Sequence, residues 1–166
     1  MAVDAAEADS ARFEEASKWR RKFWVETFNL GLGALNDGAY DEAADHFVKA
    51  TVIDPQGAMA YRNLGIIHER QERPDEAIAA YEALATLVPA LTTVKMKLGD
   101  AYLMTEQYAE AEAAYETMLA AEVDLDLTLS RQLLYNFGDT RLALQGADGA
   151  VGWYWQAHEA DPAWSQ

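Results

Sequence analysis

The sequence predicts an all-α chain of about four antiparallel helix pairs behind an N-terminal helix, and three observations predict it. Gly31, Gly65 and Gly99 stand 34 residues apart, each after a leucine (Leu30, Leu64, Leu98). Ala43, Ala77 and Ala111, and the aromatics Phe47, Tyr81 and Tyr115, keep the same interval. Between these marks apolar residues fall at helical spacing, as in Phe28, Leu32 and Leu35, or Ala43, Ala44, Phe47 and Val48, so that each set shares one face of a helix. Self-similarity at such a period means stacked units, each burying its apolar face on its neighbours.

The elements follow in order. Residues 1–23 form a leader in which no Gly or Pro interrupts the chain from Ala5 to Gly31, and Asp4 precedes Glu7 by three residues like a capping box; one long helix running into the first unit is expected. Three units then occupy 24–57, 58–91 and 92–125, with Pro55 and Pro89 closing the first two and Val123 where a third proline would stand. The pattern returns as Phe137-Gly138, Ala150, Tyr154, Ala157 and Pro162, displaced by five residues, which places an insertion at 126–130 and a fourth unit at 131–164. Within a unit the break between helices is polar and turn-like, as at Asn36-Asp37-Gly38, Gln71-Glu72-Arg73-Pro74 and Gln145-Gly146-Ala147-Asp148-Gly149. Asp41 and Asp75 are expected to cap the second helices, since a carboxylate there meets free amides. Gly31 against Ala43 is expected to set the packing distance, with Phe47, Tyr81, Tyr115 and Tyr154 filling the space between layers.

Composition narrows the function. A chain of 166 residues, 51% hydrophobic, has enough apolar side chain for a core. Asp and Glu number 28 against 13 Lys and Arg, a net charge of −15 that repels phosphate backbones and anionic lipid; nucleic acid and direct membrane insertion are poor expectations. The absence of Cys removes disulfides, thiolate metal sites and cysteine nucleophiles. No run reaches the ~18 apolar residues of a spanning helix, and the acidic start MAVDAAEADSARFEE lacks the basic region of a secretory signal. The chain therefore reads as cytoplasmic and not exported.

The recurring Leu-Gly, Ala, aromatic, Ala and Pro positions over 24–164 resemble the tetratricopeptide repeat family, whose unit is a helix-turn-helix of about 34 residues. The first family position, usually Trp, is Thr27, Tyr61, Lys95 and Leu134 here, and the late small position is Leu84 and Met118 in the middle units. The resemblance implies a right-handed superhelical solenoid whose first helices line a concave groove. Carried over position by position, it implies a partner-binding lining of Phe28, Asn29, Leu32, Leu35, Met59, Arg62, Asn63, Ile66, Met96, Lys97, Leu103, Tyr135 and Asn136, largely apolar and suited to a helix or extended peptide. Some family members clamp a chaperone's C-terminal carboxylate with Lys and Asn; only Asn63 and Lys97 match, while Phe28, Leu32 and Thr93 hold the other clamp positions. An acidic carboxylate-terminated ligand is therefore not expected.

Two ends of the sequence stand apart from the repeat. The leader carries Arg12, Lys18, Arg20, Arg21 and Lys22, and Phe13, Trp19 and Phe23 lie beside them as a candidate docking stripe. Trp153, Trp155 and Trp164 have no following layer in this sequence, which makes them a candidate assembly face for self-association or a partner. Catalytic, cofactor and metal sites are not expected: His46, His68 and His158 sit in separate units, Gly31-Leu32-Gly33 lies in mid-helix without the strand of a phosphate loop, and acids such as Glu110, Glu112 and Glu116 belong to a solvated face. The resulting expectation is a non-catalytic scaffold or assembly adaptor, with a chaperone for an apolar segment of a secreted or membrane subunit as the alternative.

Overall fold

A computed structural model describes residues 2–121 and 125–160, which among them hold eight helices and no strand. The chain divides into two compact units, Met1–Ile67 and His68–Gln166.

In the first unit α1 (Ala2–Asn36) pairs with α2 (Tyr40–Ile53), and α3 (Ala58–Arg70) follows, its last turn belonging to the second unit. The leader and the first repeat's helix are thus one uninterrupted helix of 35 residues. Asp4 lies inside its first turns rather than at a cap. The Phe28 ring meets the edge of Phe47 at 5.3 Å and stacks on Trp24 at 4.7 Å. Gly31 admits the Phe47 ring, whose nearest carbon would stand 2.9 Å from an added Cβ. The close approach is therefore made by glycine on one helix and an aromatic ring on the other, not by Gly31 against Ala43 as expected.

In the second unit α4 (Pro74–Leu87), α5 (Thr93–Met104), α6 (Tyr108–Ala120), α7 (Leu127–Gln145) and α8 (Ala147–Glu159) follow in order, with α5 on α6 and α7 on α8 as pairs. Gly99 and Gly138 repeat the device of Gly31, meeting the rings of Tyr115 and Tyr154. The core gathers Met96, Ala111, Tyr115, Met118, Leu133 and Phe137, with Leu103 and Trp153 packed on its edge. Arg141 ties α7 to α6, its Nε 2.9 Å from Glu112 and its Nη2 2.8 Å from Glu116.

Asp41 and Asp75 are not caps. The cap positions are Ala39 and Arg73, neither of which makes a side-chain capping hydrogen bond, and the two acids sit one residue inside the helices, where they face the positive end of the dipole. A true side-chain cap stands at Asp126, whose Oδ1 accepts from the Leu129 amide at 2.9 Å. Residues 127–130 are thereby helical, and α7 runs to 19 residues against 12 for α5. The turns between paired helices use the left-handed region at Gly38 (φ 76°), Glu72 (56°) and Glu106 (60°), three positions 34 residues apart.

Candidate functional site

The first helices of the second unit carry a ladder of carboxylates, each taking a tyrosine hydroxyl from the second helix of its own repeat. Tyr81 donates to Glu69 at 2.9 Å, Tyr115 to Asp100 at 2.9 Å and Tyr154 to Asp139 at 2.6 Å. Two rungs also receive a donor from the next first helix: Lys97 Nζ reaches Glu69 at 3.2 Å, and Asn136 Nδ2 reaches the same Asp100 oxygen as Tyr115 at 2.7 Å. The third rung, Asp139, is exposed.

Electrostatics follow from this geometry. Burial pushes the Asp100 carboxyl above its ordinary value, opposed by the hydrogen bonds from Asn136 and Tyr115 and by the Lys97 charge. Burial and then the Asp100 charge push the Tyr115 hydroxyl well up, and Tyr154 rises to about 12 through burial and its bond to Asp139. These tyrosines are held as donors, the opposite of the lowered pKa that activates a nucleophile. Among the described residues no three or more His, Asp or Glu are placed to hold a metal ion, and no helix is long and apolar enough to cross a membrane.

The residues assigned to a partner-binding lining divide into three groups. Phe28 and Met96 are buried and packed in the two cores, so neither is available to a partner. Leu32, Leu35, Asn63 and Ile66 are half-buried, and Leu103 packs on the Tyr115–Phe137 cluster. Asn29, Met59, Arg62 and Tyr135 are exposed, while Lys97 and Asn136 are held by Glu69 and Asp100. In the second unit the polar members of this set, Lys97 and Asn136, thus stand against the carboxylates Glu69 and Asp100. Of the tryptophans, Trp153 meets Phe137 edge-on at 4.6 Å, Trp155 is 61% exposed, and Trp164 lies outside the described residues.

The tyrosine half of the ladder escaped sequence reasoning, although a signal existed. Where the repeat's aromatic is Tyr115 or Tyr154, an aspartate stands 15 residues earlier; where it is Phe47, the same place holds Leu32. The Tyr115 hydroxyl, on a ring buried between layers, needs an acceptor, and the acid supplies it.

Family comparison decides the assignment of the repeats. Two family models described as tetratricopeptide repeat match residues 28–91 and 69–134. The chain belongs to the tetratricopeptide repeat family. Members of this family are protein-interaction scaffolds. A FAM10 family protein of Arabidopsis thaliana is 28% identical over 102 residues, 61% of this chain and 23% of that protein. The chain spans at most about a third of the length of the curated relatives it matches. Among solved structures, MamA of Desulfovibrio magneticus RS-1 superposes with a TM-score of 0.72 over 98% of this chain and 95% of its own, at 16% identity. The first tetratricopeptide domain of Spaghetti (RPAP3), bound to the HSP90 peptide SRMEEVD, gives 0.63 over 74% of this chain and 94% of its own, at 20% identity. At these identities the likeness is one of fold: the chain has the all-α tetratricopeptide fold.

Proposed function

We propose that the chain is a non-catalytic adaptor that presents its first-helix surfaces to another protein within a multi-protein assembly. One observation carries this reading beyond the family: Asn136 Nδ2 donates to Asp100 at 2.7 Å and so fixes both polar groups, and Tyr135, next to Asn136 in sequence, is exposed with its ring 5.9 Å from that of Tyr154. Polar groups that are already ordered lose little entropy when a partner arrives. A segment offering amide or basic donors to Glu69 and Asp100, and an apolar side chain to Tyr135, fits this face. The carboxylates Glu69 and Asp100 on these helices favour such a segment over the apolar or amphipathic one that a chaperone for secreted or membrane subunits would hold.

Affinity capture with the full chain tests the proposal. A discrete set of proteins retained from its host's lysate, and lost with Tyr135→Ala at unchanged melting temperature, supports it. An empty capture, or a set indifferent to that substitution, overturns it.

An acidic carboxylate-terminated peptide is not the partner on this reading. Lys97, the one cation matching the clamp, already neutralises Glu69, and Phe28 is interior. Titration of SRMEEVD into the chain should give no saturable calorimetric signal, and a saturable one removed by Lys97→Ala would refute this.

A further inference from the structure

The second unit shows how one repeat is joined to the next. The outgoing half is a tyrosine donating to an aspartate, Tyr115 to Asp100; the incoming half is a polar residue followed by a large apolar one, Asn136-Phe137. Asn136 completes the Asp100 rung, and Phe137 is 1% exposed with its ring 6.1 Å from Tyr115. Lys97-Leu98 occupies the same two positions one repeat earlier, with Leu98 4% exposed.

Both halves of this joint recur elsewhere with nothing set against them among the described residues. The outgoing half is Tyr154 and Asp139, beside an α8 stripe of Asp148, Val151, Trp155 and Glu159 at helical spacing, all exposed. The incoming half is Asn29-Leu30 on α1, where Leu30 is 58% exposed although its counterparts Leu98 and Phe137 are buried. Trp19 and Phe23 continue the Leu30 face at spacings of four and seven residues, their rings 6.0 Å apart with Lys22 over Trp19.

Charge matches the two surfaces to each other. The segment 16–23 carries Lys18, Arg20, Arg21 and Lys22 and no acid, leaving a net −19 on the rest of the chain. The α8 stripe is apolar at its centre and acidic at both ends, the complement of aromatic rings flanked by cations.

We propose that the chain binds a second copy of itself head to tail, with the Trp19–Phe23–Leu30 face of α1 in one copy seated as the next layer on α8 of the other and Asn29 completing the Asp139 rung. The two surfaces differ, so the contact is heterologous and each dimer keeps one free half of each kind. The proposal is independent of the adaptor reading, which uses Glu69, Asp100 and Tyr135.

Sedimentation of the full chain tests it. The mass of wild type should rise with concentration past a dimer, and fall between about 0.05 M and about 0.5 M salt as the charges are screened. Leu30→Glu and Trp155→Glu, both at exposed positions, should each be monomeric with unchanged helical circular dichroism. Mixed, they should form a one-to-one dimer that grows no further, because each variant keeps the half that the other has lost. A wild type that stays monomeric into the high micromolar range overturns the proposal. So does association abolished by Trp155→Glu but indifferent to Leu30→Glu, which marks a symmetric pair or a different partner, and so does a mixture that remains monomeric.

Discussion

Asp100 is a half-buried carboxyl between two donors that share one of its oxygens, and this setting makes its contribution to stability depend on pH. Its folded pKa lies above the ordinary 3.8 because burial disfavours the charged form. Folding stability from this residue is therefore full below 3.8 and declines as pH rises through the raised folded value. Asp100→Asn keeps an oxygen for Tyr115 and Asn136 but discards the charge, so its stability relative to wild type should improve on going from pH 3.5 to about 7. Denaturant melts at both pH values check this, and a relative stability that falls with pH would show that the charge is stabilising in place. Glu72 and Glu106 adopt a positive φ that the first repeat assigns to Gly38. A left-handed side-chain-bearing residue costs roughly 1 kcal/mol, partly offset by the freedom glycine has when unfolded. Glu106→Gly should thus gain a few tenths to about 1 kcal/mol in urea unfolding.

At the scale of the helix, glycine has two meanings in this chain. Gly138 faces the Tyr154 ring so closely that an added Cβ would stand 2.6 Å from it, whereas nothing lies within 4 Å of a Cβ on Gly33. Gly138→Ala should therefore cost about 1–3 kcal/mol by overpacking. Gly33→Ala, exposed in the last turn of α1, should stabilise by a few tenths to about 1 kcal/mol. Paired unfolding curves separate the two, and equal effects would mean that the glycine–ring contact is not a packing constraint. The 34-residue spacing of Leu-Gly, Ala and aromatic was legible because every helix pair solves one packing problem with one set of residues. The added length of α7 appears in sequence only as a phase shift of five, and its structural cause is the Asp126 cap that starts the helix early.

For the molecule as a whole, charge is the dominant departure from an ordinary domain. A net −15 on 166 residues repels itself in the compact state, and paired acids such as Glu69 with Lys97 or Glu112 with Arg141 relieve only part of that. Raising salt from about 0.02 M to about 0.3 M should therefore raise the melting temperature by screening. A fall would mean that the ion pairs outweigh the repulsion.

What the sequence determined by itself is the repeating fold: helix pairs, their phase, the turns between them and the family they belong to are written in spacings that local chemistry makes visible. Which of the expected partner-binding residues are exposed was legible only in part. Asn29, Met59, Arg62 and Tyr135 are exposed, but Phe28 and Met96 occupy the same stretch of helix and are interior. Tertiary structure decided that difference, because which side of a helix is open depends on whether a ring such as Phe47 or Tyr115 arrives from another helix. It also decided that Lys97 and Asn136 are engaged by carboxylates 28 and 36 residues away. Spacing along the chain shows which residues share a face; only the packing of a second helix shows what that face meets.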